Sequence, residues 1–199
     1  MYSAAYKRYL IALRAGRRLS VIATDRRLRP VKYEEAEPAL HAALASYVSA
    51  WEVYVENSTT EFVQKLQTSL ASDGSAVATI LLAEALTAKS KFNTPNYENS
   101  RDLVLRFTGV DTYPVMASNR LTLTGPQTRD RLNEILKVRH SFAHGAPIPA
   151  YAWLQRYGTT NRLTKTAVQM VETLLTDLVR NVDTALEQQL KRVFGLSGW

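Results

Sequence analysis

Between Glu134 and Gly145 the chain reads Glu134-Ile-Leu-Lys-Val-Arg139-His140-Ser-Phe-Ala-His144-Gly145, and two of its three histidines fall in that run beside an arginine. An imidazole is the side chain whose ordinary pKa lets it take up and return a proton near neutrality. A guanidinium presents a planar fork that fits the non-bridging oxygens of a phosphate. Together they form a kit for breaking a phosphodiester through the neighbouring ribose 2′-hydroxyl. The nucleophile is then the substrate's own, and no metal is needed.

Spacing alone is weak support, since a chain with seventeen arginines and three histidines offers many chances for such a pair. Cations near a helix C-terminus also interact well with the last carbonyls, so capping is the plainer reading of Arg139, His140 and His144. The same helix end suits a protonated imidazole, which favours an acid over a base at His144. His140 and His144 share a helical face, but no Glu follows His140 as in a hydrolytic zinc site, and no metal or other cofactor is expected. On an ideal helix, five residues turn through about 500°, leaving Arg139 and His144 about 140° apart in direction. Either the helix ends between them, with Gly145 as the stop, or a second copy supplies the missing group.

The elements that would position this kit read as helices throughout, giving an all-α fold. Apolar residues from Leu40 to Leu66 recur at threes and fours and predict a long helix from Glu34 to about Ser69, with Asn57-Ser58 as a candidate break. Asp73-Gly74 punctuates, and Ala76–Lys89 continues with Val77, Ile80, Leu81 and Ala85 as its inner stripe. Thr94-Pro95 reads as an N-cap and first helical residue for a helix reaching about Phe107. Thr124-Gly-Pro126 opens the helix that carries the motif. Residues 146–163 read as a connecting loop, and Thr164 opens a last long helix that runs through Val193. His41, Tyr54 and the three tryptophans read as structural, with Trp153 and Tyr157 as an alternative stacking platform for an unpaired base.

Charge divides the chain unevenly. Nine of the 25 Lys/Arg and one of the 18 Asp/Glu lie in residues 1–32, which leaves the rest near neutral. We therefore expect a basic N-terminal helical segment over 1–33 and a helical bundle domain over 34–199. Arg14, Arg17, Arg18, Arg26 and Arg27 are its candidate RNA contacts, with a solvated helix, an acidic partner or a targeting role as alternatives. The lack of cysteine excludes disulfides and thiolate chemistry. No apolar run approaches the ~20 residues of a spanning helix, so a cytoplasmic protein with no membrane partner is expected.

Four ordered blocks carry a resemblance: Tyr47-Val-Ser-Ala-Trp51-Glu52-Val-Tyr54, Phe92-Asn93-Thr94-Pro95-Asn96, Gly109-Val-Asp111 and the Glu134–Gly145 run. The chain resembles the HEPN superfamily over roughly residues 34–195, in particular its RiboL-PSP-HEPN type. The resemblance implies an up-and-down helical bundle that pairs about a two-fold axis, with the Arg-x4-His motifs of both copies meeting in one cleft. It further implies a metal-independent endoribonuclease leaving 2′,3′-cyclic phosphate and 5′-hydroxyl ends, acting as a toxin or antiviral effector. Arg139 and His144 then match the catalytic motif and His140 the polar position after the arginine. Glu52 is a candidate to orient an imidazole or pair with Arg139, although an exposed carboxylate is its plainer reading. An inhibitor or activator protein from a neighbouring gene is an expected partner. Ala146 stands where one subgroup has a tyrosine that is adenylylated, so that control is not expected here. The alternative function is a non-catalytic module that binds RNA or nucleotide or scaffolds a defence complex.

Overall fold

The structure, a computed structural model, describes residues 2–23, 25, 32–70 and 72–199. Six helices appear among them: α1 (Ala4–Ile22), α2 (Tyr33–Ser69), α3 (Ser72–Lys91), α4 (Tyr97–Thr108), α5 (Gly125–Ala143) and α6 (Lys165–Phe194). A hairpin of two three-residue strands, β1 (Gln155–Tyr157) and β2 (Thr160–Arg162), pairs antiparallel before α6. The architecture is an all-α bundle.

The centre is α2, which packs against each of the other five helices. Its 37 residues span about 55 Å at 1.5 Å per residue. Trp51, Tyr47, Tyr54, Val55 and Phe62 are fully buried and form one core with Leu174, Leu175, Leu178 and Leu186 of α6 and Leu132, Ile135 and Val138 of α5. Burying one large apolar side chain contributes about 1.5–3 kcal/mol, so the three from α5 anchor the motif helix firmly. Asn57-Ser58 is not a break: α2 runs on unbroken, and Ser58, Thr59 and Thr60 turn their hydroxyls back onto carbonyls of the preceding turn. Their polarity is absorbed inside the helix.

The N-terminal segment shares that core. Tyr6, Tyr9 and Leu13 of α1 are buried in it, and Gly16 lets α1 approach so closely that a Cβ there would collide with the Tyr47 ring. At the start of α1, Asp183 of α6 accepts from the Ser3 backbone N–H at 3.2 Å and from its hydroxyl, while Glu61 of α2 accepts from the N–H groups of Ala4 and Ala5 at 2.7 Å each. Charge changes near residue 33, but packing does not.

Three local expectations are corrected. First, α3 begins at Ser72, so Asp73-Gly74 lies within it, and Val77 and Ile80 point to solvent while Ala78 and Ala85 are buried. The close approach of α3 to its neighbours favours the small residues at the seam. Second, α4 is capped by Asn96, whose Oδ1 accepts from Asn99 N–H at 2.7 Å, and Thr94-Pro95 lies outside it. The Pro95 carbonyl accepts from Trp51 Nε1 at 3.0 Å and that of Thr94 from Asn99 Nδ2 at 3.0 Å, which commits the segment to a non-helical path. Third, the 146–163 connection contains the hairpin, too short to show as alternation in sequence. Past α4, Arg101 grips Asp111 through two bonds of 2.7 and 2.8 Å, holding that carboxyl down to about 2.

A candidate active-site cleft at the end of the motif helix

The register of α5 is fixed at both ends. At its start, Gln127 Oε1 accepts from the Thr124 N–H and hydroxyl at 2.9 Å each. At its finish, Gly145 adopts φ +63°, its N–H reaches the Phe142 carbonyl at 3.2 Å, and the Ala146 N–H reaches the Ser141 carbonyl at 2.8 Å. This pair of bonds is a Schellman closure, which requires the left-handed residue one position past the cap. The helix therefore runs through Ala143 with His144 as its C-cap. It ends between Arg139 and His144 as expected, but only at the last residue before His144, so the path from Arg139 to His144 stays close to helical.

His144 accordingly continues the helical face of His140, and their rings lie 4.2 Å apart, tilted by 47°. Both are exposed, and Arg139, on the adjacent face, is half-buried. None of the three makes a side-chain hydrogen bond or ion pair among the described residues, and no third metal-ligating side chain joins the two imidazoles there. Glu52 lies close enough for its carboxyl to feel the charge of Arg139 without forming an ion pair. Burial pushes that carboxyl up and the arginine partly offsets the rise. Glu56, one turn on, is raised by burial, lowered by Lys89 at 3.8 Å and raised again by Glu52. The face of α2 behind the motif thus carries electronegative groups in partial burial.

Beside the motif lies a cleft of about 460 Å³ between α5 and the α3–α4 connection. Asn133, Leu136, Lys137, Arg139 and His140 form one wall and residues 93–96 the other. The sequence reading missed Lys137 and Asn133, although both share a helical face with His140 at spacings of three and seven. It noted residues 93–96 without placing them opposite the motif, a pairing that only the fold reveals. Asn133 also ties the walls together, since its Oδ1 accepts from Tyr97 N–H at 3.2 Å and its Nδ2 donates to Glu98.

The basic residues of α1 lie elsewhere. Among the described residues none of them lines the cleft, and Arg17 donates to Glu172 on α6 at 2.7 Å. Arg14 and Arg18 are exposed on α1, and Arg26 and Arg27 fall outside the described residues. Of the aromatic platform, Trp153 Nε1 donates to Glu134 at 3.0 Å and Arg162 covers the Tyr157 ring at 3.8 Å from its centre. His41 is buried against α5 with its ring stacked 4.1 Å from that of Phe142. Burial lowers its pKa, against an opposing pull from Glu37, 3.6 Å away.

A long central helix ringed by shorter ones is consistent with an all-α HEPN helical bundle. The family model for RiboL-PSP-HEPN matches residues 17–188, and the chain belongs to that family. No match was found among curated proteins or among solved structures. Family membership points to a nuclease or another RNA-related module.

Proposed function

We propose that the protein is a metal-independent endoribonuclease, acting as a toxin or defence effector, with Arg139 and His144 as its catalytic residues. The observation that carries this is that Arg139 and His140 line the cleft with His144 stacked beside His140, and that none of the three spends its side chain on a hydrogen bond or ion pair among the described residues. An imidazole removes the proton from the ribose 2′-hydroxyl, whose oxygen attacks the adjacent phosphorus. Arg139 holds the non-bridging oxygens as negative charge builds on them. A second imidazole donates a proton to the departing 5′-oxygen. The products carry 2′,3′-cyclic phosphate and 5′-hydroxyl ends, and DNA is inert.

α5 stays helical through Ala143, and an ideal helix would aim Arg139 and His144 about 140° apart, which supports a reading in which a second copy completes the site. RNA fragment ends are to be mapped after incubation in EDTA with wild type, Arg139→Ala and His144→Ala. Cyclic-phosphate ends should vanish in both variants. Mixing the two inactive variants should then restore about a quarter of wild-type activity, because half the randomly formed pairs carry one intact site of two. No restoration would sink the shared site. The absence of α1 cations from the cleft favours the competing reading, a non-catalytic RNA- or nucleotide-binding module, and wild type that cleaves nothing would decide for it.

A further inference from the structure

We infer that the cleft between α5 and residues 93–96 holds the nucleoside beside the scissile phosphate and selects keto bases, uracil and guanine, over the amino bases cytosine and adenine. The inference rests on the reading of the motif as an RNA-cleaving site. Three carboxamides line the cleft, and the oxygen of each already accepts one hydrogen bond from the protein. Asn96 Oδ1 accepts from Asn99 N–H at 2.7 Å, Asn133 Oδ1 from Tyr97 N–H at 3.2 Å and Asn93 Oδ1 from the Thr94 hydroxyl at 3.2 Å. The Asn133 amide nitrogen is spent on Glu98. The amide nitrogen without a partner among the described residues is that of Asn96, joined by Asn93 Nδ2 when the Thr94 hydroxyl donates to Asn93 Oδ1, beside the cations of Lys137 and Arg139.

Orientation is not free to reverse at Asn96 or Asn133, because each oxygen faces a backbone N–H that can only donate. A wall of donors matches the carbonyl edge of uracil or the O6 and N7 of guanine. The N4 amino group of cytosine or the N6 amino group of adenine would set donor against donor. Pro95 and Leu136 supply apolar surface for the base, and 460 Å³ lies within the usual range for a small-molecule site. The connection is held where it matters: the Trp51–Pro95 and Asn99–Thr94 bonds pin the backbone between the carboxamides of Asn93 and Asn96.

The test is equilibrium binding of the 3′- and 5′-monophosphates of all four nucleosides, with inorganic phosphate alongside, to the full chain. No cleavage is needed for the readout. Uridine and guanosine nucleotides should bind about five- to tenfold more tightly than their cytidine and adenosine counterparts, the worth of one matched donor. Asn96→Asp keeps the helix cap, since Asp and Asn cap equally well, but replaces the donor by an acceptor. It should abolish or reverse the preference, and Asn93→Ala should weaken it. Equal binding of all four bases, phosphate binding as tight as any nucleotide, or a preference untouched by Asn96→Asp would overturn the inference. A keto preference in a protein that cleaves no RNA would keep the base selectivity of the cleft but overturn its place beside a scissile phosphate, together with the nuclease reading; cleavage with no base preference at this cleft would overturn the inference and leave the nuclease reading.

Discussion

Two acid–base neighbourhoods on the same bundle treat polar groups in opposite ways. Along α6, Asp177 is buried yet receives Ser118 at 2.6 Å, Arg120 at 2.7 Å and Arg180 at 2.6 Å, while Asp183 receives both the backbone and the hydroxyl of Ser3. At the end of α5, Arg139, His140 and His144 stand with no such partner among the described residues. A polar group buried for structure must be satisfied by the protein, whereas one kept for a ligand must be left for the ligand to satisfy. The contrast is between buried carboxylates that the fold must pair and largely exposed cationic side chains that solvent satisfies and that a ligand could engage.

The comparison breaks most visibly at the motif. Arg139→Ala and His144→Ala should each lower RNA cleavage by about 10²-fold or more, with thermal stability unchanged to within about 0.5 kcal/mol. A large loss of stability instead would return both residues to a capping role. Asp183→Ala should show the reverse: about 2 kcal/mol of destabilisation from the stranded Ser3 groups, read as a drop of about 4–8 °C in Tm, with cleavage retained below the new midpoint. A smaller effect is expected at Gly145. A Cβ there meets nothing within 4 Å, so Gly145→Ala carries only the left-handed backbone penalty of about 1 kcal/mol. Frayed amide exchange at Ala143 and His144, with reduced cleavage, would mark the Schellman closure as the device that presents His144.

The smallest effect concerns pH. The folded state holds the pKa of His41 below its ordinary value of 6.5, so its contribution to stability is full above that value and is lost as pH falls toward the folded pKa. Glu52, Glu56 and Asp183 have raised values and act in the opposite sense, favouring the fold as pH falls. Urea unfolding of wild type and His41→Gln should therefore diverge between pH 7.5 and 5.5, with wild type losing more stability. Parallel curves would exclude His41 as the source.

Much of this molecule was legible where large apolar residues carry the packing. The stripes of α2, α5 and α6 placed those helices to within a few residues, and Gly145 marked the end of α5. The inner face of α3 was misread because alanine, not valine or isoleucine, makes the close contacts, and a periodicity argument weighs side chains by size. The start of α4 was misread because Asn96 competes with Thr94 for the cap, and the choice is made by Trp51, over forty residues away. The motif itself was legible as three residues of two types, one arginine and two histidines, in one run. Its cleft was not, since the second wall comes from residues 93–96, which only tertiary packing sets opposite Lys137 and His140.

The bond from the Trp51 indole to the Pro95 carbonyl has a spectroscopic consequence. Trp51 is buried in the core while its one polar atom touches the backbone of the cleft wall. An occupant that shifts residues 93–96 alters that contact, and with it the emission wavelength of a chromophore shielded from solvent quenchers. With Trp153 and Trp199 replaced by phenylalanine, the chain would report on its own cleft with no label attached.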